Sequence, residues 1–154
     1  MQNRTVVGIG ETVLDIVFRN MQPQAAVPGG SVFNAMVSLG RTAGRVLPGT
    51  RLVMASQTGD DAVADLITDF MRQNGLDTAC IQQDAGQSTV SMALLDEHNN
   101  ARYEFFRDRS LPPFRTPQIT FPAEDVLLFG SFYAVNPVIR EQMKSLLDKA
   151  HEAG

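Results

Sequence analysis

The chain has 154 residues, 44% of them hydrophobic and 19% charged, which is the composition of one globular domain with a core and excludes a disordered or fibrous chain. A net charge of -4 with a pI near 5.1, and no cluster of lysine or arginine, excludes a nucleic-acid groove or an anionic membrane surface and leaves a small molecule as the expected partner. Cys80 is the only cysteine, so no internal disulfide forms and nothing marks an oxidising compartment. The polar start Gln2-Asn3-Arg4 leads into a short apolar run, Val6 to Ile9. That run is too brief for a signal-peptide core, and no later stretch approaches the roughly 18 apolar residues of a membrane span; the expected location is cytoplasmic.

Thr5 to Ile9, ended by Gly10, reads as a buried first strand of a parallel sheet. Val13 to Phe18 reads as a second strand carrying one acid, Asp15, and Gln22 to Pro28 is polar and proline-bearing. Gly29-Gly30-Ser31 opens an apolar helix from about Val32 to Arg41, with Gly44 and Pro48-Gly49 punctuating the loop after it. Leu52 to Ser56 is strand-like. Gly59-Asp60-Asp61 leads into a helix whose Val63, Leu66, Ile67, Phe70 and Met71 recur at the spacing of one buried face, stopped by Asn74-Gly75. Thr89 to Leu95 and Arg102 to Arg107 flank the polar turn Asp96 to Asn100 and predict a hairpin, a β element separate from the first sheet. Leu111 to Pro122 holds four prolines and predicts an irregular connection. Val126 to Phe129 is again a buried strand, and Asn136-Pro137 predicts the start of a helix with Ile139, Met143, Leu146, Leu147 and Ala150 on one stripe. The alternation predicts an α/β fold, a parallel sheet flanked by helices with a small β appendage, whose last helix ends at Ala153-Gly154 where another parallel strand is expected, as though the sheet were unfinished.

Few residues carry candidate chemistry. Gly29-Gly30 before a helix lets a ligand approach backbone amides, and Asn34 in the first turn offers a donor and an acceptor to a polyol, among Val32, Phe33, Ala35, Met36 and Val37. A plain turn with a capping asparagine fits the same residues. Asp15 alternates with Val13 and Val17 on one strand face, where a carboxylate either takes sugar hydroxyls or guards a sheet edge against aggregation. Gly8-x-Gly10 is no dinucleotide fingerprint, because Val13 stands at its third glycine. His98, His151 and Cys80 have no metal-ligand spacing.

Gly29-Gly30-Ser31-Val32-Phe33-Asn34, then Leu39-Gly40-Arg41, then Thr58-Gly59-Asp60-Asp61, with Gly8-Ile9-Gly10-Glu11 and Asp15 ahead of them, resemble the amino-terminal signature of ribokinase-type (PfkB family) carbohydrate kinases. The resemblance runs over essentially the whole chain and implies the amino-terminal part of one ribokinase-like domain, three-layered, with lid strands at about 13–28 and 81–107, and a sheet left incomplete by the missing carboxy-terminal half. It implies ATP-dependent phosphorylation of a sugar in the complete protein, with Asp15, Gly29, Gly30 and Asn34 holding the hydroxyls. Gly10-Glu11-Thr12 and Tyr103 to Arg107 lean toward the fructokinase and ketodeoxygluconate-kinase side, so that Phe105 covers the sugar and Arg107 meets an acidic or ketose substrate; a solvated strand arginine is the plain alternative. The family's late Gly-Ala-Gly-Asp motif, which supplies the base and the phosphate grip, has no counterpart here, since Gln57 precedes Thr58-Gly59-Asp60. The resemblance therefore implies no catalytic base in this chain, ATP and Mg2+ for the complete enzyme without good binding here, and a homodimer paired through the lid. A non-catalytic sugar-binding or protein-interaction module, and a nucleoside kinase, are the other readings.

Overall fold

The computed structural model describes residues 4–46, 48–120, 122 and 124–153. Four strands, β1 (Thr5–Ile9), β4 (Arg51–Thr58), β5 (Asp77–Gln83) and β8 (Val126–Phe129), form one parallel sheet in the order β5-β4-β1-β8. The other four, β2 (Val13–Arg19), β3 (Gln22–Gly29), β6 (Val90–Leu95) and β7 (Ala101–Phe106), form a second sheet in the order β3-β2-β6-β7.

Strand alternation builds the layers of the first sheet, because successive side chains leave opposite faces. Val6, Leu52 and Met54 pack with Val32, Phe33, Met36 and Val37 of helix α1 (Ser31–Val46) and Ile67 and Met71 of helix α2 (Ala62–Gln73). Val7, Ile9, Val53 and Ala55 pack on the other side with Tyr133 of the short helix α3 (Ser131–Val135), with Met143 and Leu146 of helix α4 (Arg140–Glu152), and with Phe114. The sheet is thus covered on both faces, as an all-parallel sheet requires. Each fully buried side chain such as Ile9 or Met36, both 0% exposed, contributes about 1.5–3 kcal/mol. Gly8 and Gly10 serve this packing, since an added methyl group would run into Met36 and Val32 of α1.

Several boundaries differ from the sequence expectation. The stretch Gln22–Gly29, only polar and proline-bearing by its residues but a lid strand by the resemblance, is a strand, and it tolerates Pro23 and Pro28 because β3 lies at the sheet edge. Its hairpin with β2 turns through Asn20 and Met21, both at positive φ (49° and 59°). Type I′ geometry asks for this, and the Asn-Met pair does not advertise it. Helix α1 runs on through Gly44 to Val46 instead of ending at Arg41. Strand β5 belongs to the parallel sheet, where the resemblance began a lid segment at about residue 81 and the residue pattern gave no strand, for an edge strand with polar ends and only Cys80 and Ile81 packed partly buried against the core shows no alternation. On α2, Leu66 is 56% exposed although its spacing fits the buried stripe. Asn136 does not open α4; its side-chain oxygen accepts from the Val138 N–H in a turn between α3 and α4, and the helix begins at Arg140. The hairpin of β6 and β7 forms as expected, with the Asp96 carboxylate accepting from the backbone of His98 and Asn100 in the turn. Residues 111–120 are irregular, Phe121 lies outside the described residues, and so do Met1, Gln2, Asn3 and Gly154.

Candidate functional site

In the parallel sheet the chain passes from β1 to β4 on one side, while β8 lies on β1's other side. Such a change of direction opens a crevice at the carboxyl ends of the strands, the usual ligand position in open α/β sheets. A cavity of about 420 Å3 is found there. It is lined by Glu11 after β1, Gln57 and Thr58 at the end of β4, Phe132 and Tyr133 after β8, and Arg107 where the second sheet ends. Thr89 and Arg107, which flank strands of the second sheet, bring that sheet to the rim of the crevice, and Phe114 on its wall stacks on Tyr133 with ring centres 4.7 Å apart.

The chemistry of this cavity is set by a few groups. Arg107 donates from Nε and Nη2 to the two carboxylate oxygens of Glu11 at 3.0 and 3.2 Å. Its guanidinium lies 4.4 Å from the Phe105 ring centre and 5.2 Å from that of Phe132, so cation–π attraction adds to the ion pair. Arg107 is thus held by its neighbours while its side chain stays 36% exposed, and the pair bridges the second sheet and the parallel sheet. Burial pushes the Tyr133 phenol well above its ordinary value and Glu11 adds to this, against hydrogen bonding with Ser56 and the Gln57 backbone. Tyr133 is accordingly a neutral phenol at pH 7. Thr12 and Ser56 share a buried hydrogen bond of 3.1 Å. Thr58 is 2% exposed, and its hydroxyl is the buried side-chain oxygen that finds no partner among the described residues.

Asp15 lies on β2, an inner strand of the lid, which removes the edge-guard reading. It accepts a hydrogen bond from the Ser91 hydroxyl on β6, directly across the register, and Ser91 is 0% exposed. Its other carboxylate oxygen lies where a Cβ on Gly29 would be. Gly30 has φ +130°, and a Cβ there would run into the Glu11 carbonyl oxygen. The diglycine thus seats Asp15 on one side and the Glu11 backbone on the other, beside the cavity that Glu11 lines. Asn34 departs from expectation. It is exposed with Ala35, while Val32, Phe33, Met36 and Val37 form the buried face. Its backbone N–H donates to the Gly30 carbonyl at 2.8 Å, and its side chain has no hydrogen-bond partner among the described residues. Phe105 is 45% exposed and stacks with Tyr103.

The Gly59-Asp60-Asp61 step is structural. The Gly59 N–H donates to Ser88 Oγ at 2.9 Å, Asp60 accepts from the Gly86 N–H, and Asp61 caps α2 by accepting from the Ala64 N–H while also accepting from the Ser88 N–H and hydroxyl. Glu11, Thr58, Phe132 and Tyr133 carry no assigned role in the sequence reading. In the sequence Glu11 and Thr58 appear only as members of the quoted motifs and Phe132 and Tyr133 only as residues after a strand, and their placement acquires meaning once the strand order is known.

No family model and no curated protein sequence matches the chain. Solved structures do. The chain is similar to aminoimidazole riboside kinase from Salmonella enterica, in complex with aminoimidazole riboside and an ATP analogue, at TM-score 0.78 and 21% identity over 98% of this chain and 48% of that one. It is similar to fructokinase from Halothermothrix orenii at TM-score 0.75 and 20% identity, covering 97% and 54%. It is also similar to fructokinase from Xylella fastidiosa at TM-score 0.72 and 19% identity, covering 99% and 49%. The fold is ribokinase-like. The chain spans about half the length of the solved ribokinase-like structures it matches, and the match includes the lid as well as the parallel sheet.

Proposed function

We propose that this chain supplies the sugar site and lid of an ATP-dependent sugar kinase, with a fructose-like ketose as the leading substrate. The observation that carries the reading is the cavity at the carboxyl ends of β1 and β4, to which the Asp15, Gly29 and Gly30 cluster connects through the Glu11 backbone without lining it. Asp15, already bonded on one oxygen by Ser91, has its second oxygen available to accept from a sugar hydroxyl. The Asn34 amide, exposed at the first turn of α1, adds a donor and an acceptor, and the Gly29-Gly30 backbone admits the sugar closely. The lid excludes water around the reacting hydroxyl, with Phe105 as an apolar cover.

ATP, when bound, supplies the phosphoryl group. The likeness to an ATP-bound fructokinase supports that donor. The residues of this chain do not fit the nucleotide or Mg2+. The Gly59-Asp60-Asp61 step is consumed by Gly86 and Ser88, and no group of three or more His, Cys, Asp or Glu side chains converges among the described residues. The nucleotide, its metal and the base belong, on this reading, to the part of the fold that this chain does not span. Lid-to-lid pairing into a homodimer belongs to the same reading and is supported by Met21 and Phe106, 73% and 54% exposed on the lid.

Calorimetric titration with ketoses, aldoses and nucleosides tests the site. A sugar is expected to bind and to lose at least about tenfold in affinity in Asp15→Ala, on the scale of one charge-assisted hydrogen bond. With ATP and Mg2+ the chain alone is expected to give no turnover. Absence of binding by every ligand in the panel, or full turnover, overturns the assignment.

A further inference from the structure

Gln57, near the end of β4, lines the cavity, and its side chain is held from two sides. Nε2 donates to Asp84 Oδ2 at 2.8 Å and to the Pro112 carbonyl oxygen at 2.7 Å. A side-chain amide nitrogen has two N–H groups, so both are spent. Neither partner can donate in return. Pro112 offers a carbonyl. Burial pushes the Asp84 carboxyl up, but hydrogen bonds from Gln82 and Gln57 and the charge of Arg115 outweigh this and hold it below the usual 3.8, so at neutral pH it only accepts. Turning the Gln57 amide over would set its oxygen against two other acceptors, and one orientation is thereby imposed. The carbonyl half, Oε1, meets no donor among the described residues. Asp84 is itself fixed, because it also accepts from Gln82 Nε2, while Gln82 Oε1 accepts the Arg115 N–H at 2.8 Å. This clamp ties the ends of β4 and β5 to the irregular stretch that puts Leu111 and Phe114 on the cavity wall.

We propose that Gln57 is a substrate-contact residue of this cavity, its Oε1 accepting a hydrogen bond from one substrate hydroxyl, and that Asp84 is the positioning residue that keeps this oxygen turned to the ligand. The inference rests on the sugar-site reading above and adds to it an acceptor that chooses among hydroxyl patterns. Other polar groups on the wall are committed elsewhere: the Tyr133 phenol to Ser56 and the Gln57 backbone, and Asp108 to Ser110 and the Gln87 N–H. A polyol with a hydroxyl at the matching position satisfies Oε1. A deoxy sugar leaves it unpaired once the ligand has displaced water, and loses affinity accordingly. Because both N–H groups are spent, the contact reads a donor on the substrate and gives nothing to an acceptor there.

The test is calorimetric titration of a ketohexose and each of its single-deoxy analogues against the wild-type chain, Gln57→Met and Asp84→Ala, with thermal melting to show that each variant is folded. Wild type is expected to bind one analogue about three- to tenfold more weakly than the parent sugar because of this contact. Gln57→Met, close in shape but without the acceptor, binds the parent more weakly by that factor and no longer distinguishes it from that analogue. Its discrimination against the other analogues is unchanged, which a merely structural role for Gln57 would not produce. Asp84→Ala shrinks the same discrimination, because the amide is then free to turn. A second measurement needs no variant and no sugar. By nuclear magnetic resonance the two side-chain amide protons of Gln57 are expected to exchange with water at least about tenfold more slowly than those of Gln73, exposed on α2. Rapid exchange of the Gln57 amide overturns the proposal and leaves the sugar site standing, as does a folded Gln57→Met that still discriminates like wild type or weakens all analogues equally. If no sugar in the series binds wild type, the sugar site falls and takes this contact with it.

Discussion

Replacing Gly29 by alanine isolates the packing that places Asp15. Gly29 is buried, and it is not among the residues at positive φ, so alanine meets no backbone strain there and its cost is steric. The new methyl group lands on the Asp15 Oδ2 atom, with Val13 Cγ2 at 3.9 Å. Overpacking of this kind costs about 1–3 kcal/mol, and it also levers the carboxylate off Ser91. Since the obstruction is the end of one side chain, removing that side chain removes the cost. Urea unfolding of wild type, Gly29→Ala, Asp15→Ala and the double variant is expected to give a coupling of about 1–2 kcal/mol, with Gly29→Ala nearly neutral in the Asp15→Ala background. Gly30→Ala is the contrast. There φ is +130° and the obstruction is the Glu11 main-chain oxygen, so strain of about 1–3 kcal/mol adds to the clash and Asp15→Ala gives no relief. Equal costs for Gly29→Ala in both backgrounds would refute the claim that the diglycine exists to seat Asp15.

Thr58→Val keeps the side-chain shape and deletes a buried hydroxyl with no partner among the described residues. It is expected to stabilise the free chain by up to about 1 kcal/mol while weakening sugar binding, and a clear loss in urea midpoint counts against this. Asp61 is pushed up by burial, but hydrogen bonds from Ser88 and Ala64 outweigh this and hold it below the usual 3.8. Its contribution is therefore fully present above about pH 4 and disappears as the pH falls through the lower folded value. Asp61→Asn should cost about 1–2 kcal/mol at pH 7 and flatten the acid limb of the stability profile, and an unchanged limb refutes the assignment. Burial, aided by Asp77, pushes the Cys80 thiol above its usual 9.0. Alkylation of native protein at pH 8 should therefore be slower than in urea, and equal rates would contradict that burial.

Strands β1, β4 and β8 of the parallel sheet were readable because each contains a short apolar run, and α1 and α2 because their apolar residues recur with the helical period. Strand β5 and the hairpin through Asn20 and Met21 were not readable. An edge strand buries too little to impose a pattern, and Met21 adopts positive φ only because flanking strands hold it there. The same divide runs through the site. Asp15, Gly29 and Gly30 stood out as residues costly to their local element. Glu11 and Arg107 lie 96 positions apart, and no local pattern couples them.

From sequence alone come the α/β class, the separate lid hairpin and a cluster of one acid and two glycines, because propensity, periodicity and the cost of a charge on a strand are local properties. Tertiary structure alone decided that Asp15 sits on an inner strand, that the Gly59-Asp60-Asp61 step is bound into a loop, and that Arg107 is paired with Glu11. Those outcomes depend on strand order and on which distant groups come to share a cavity. A hydrogen bond or ion pair between remote residues forms only after the chain has closed the loops between them.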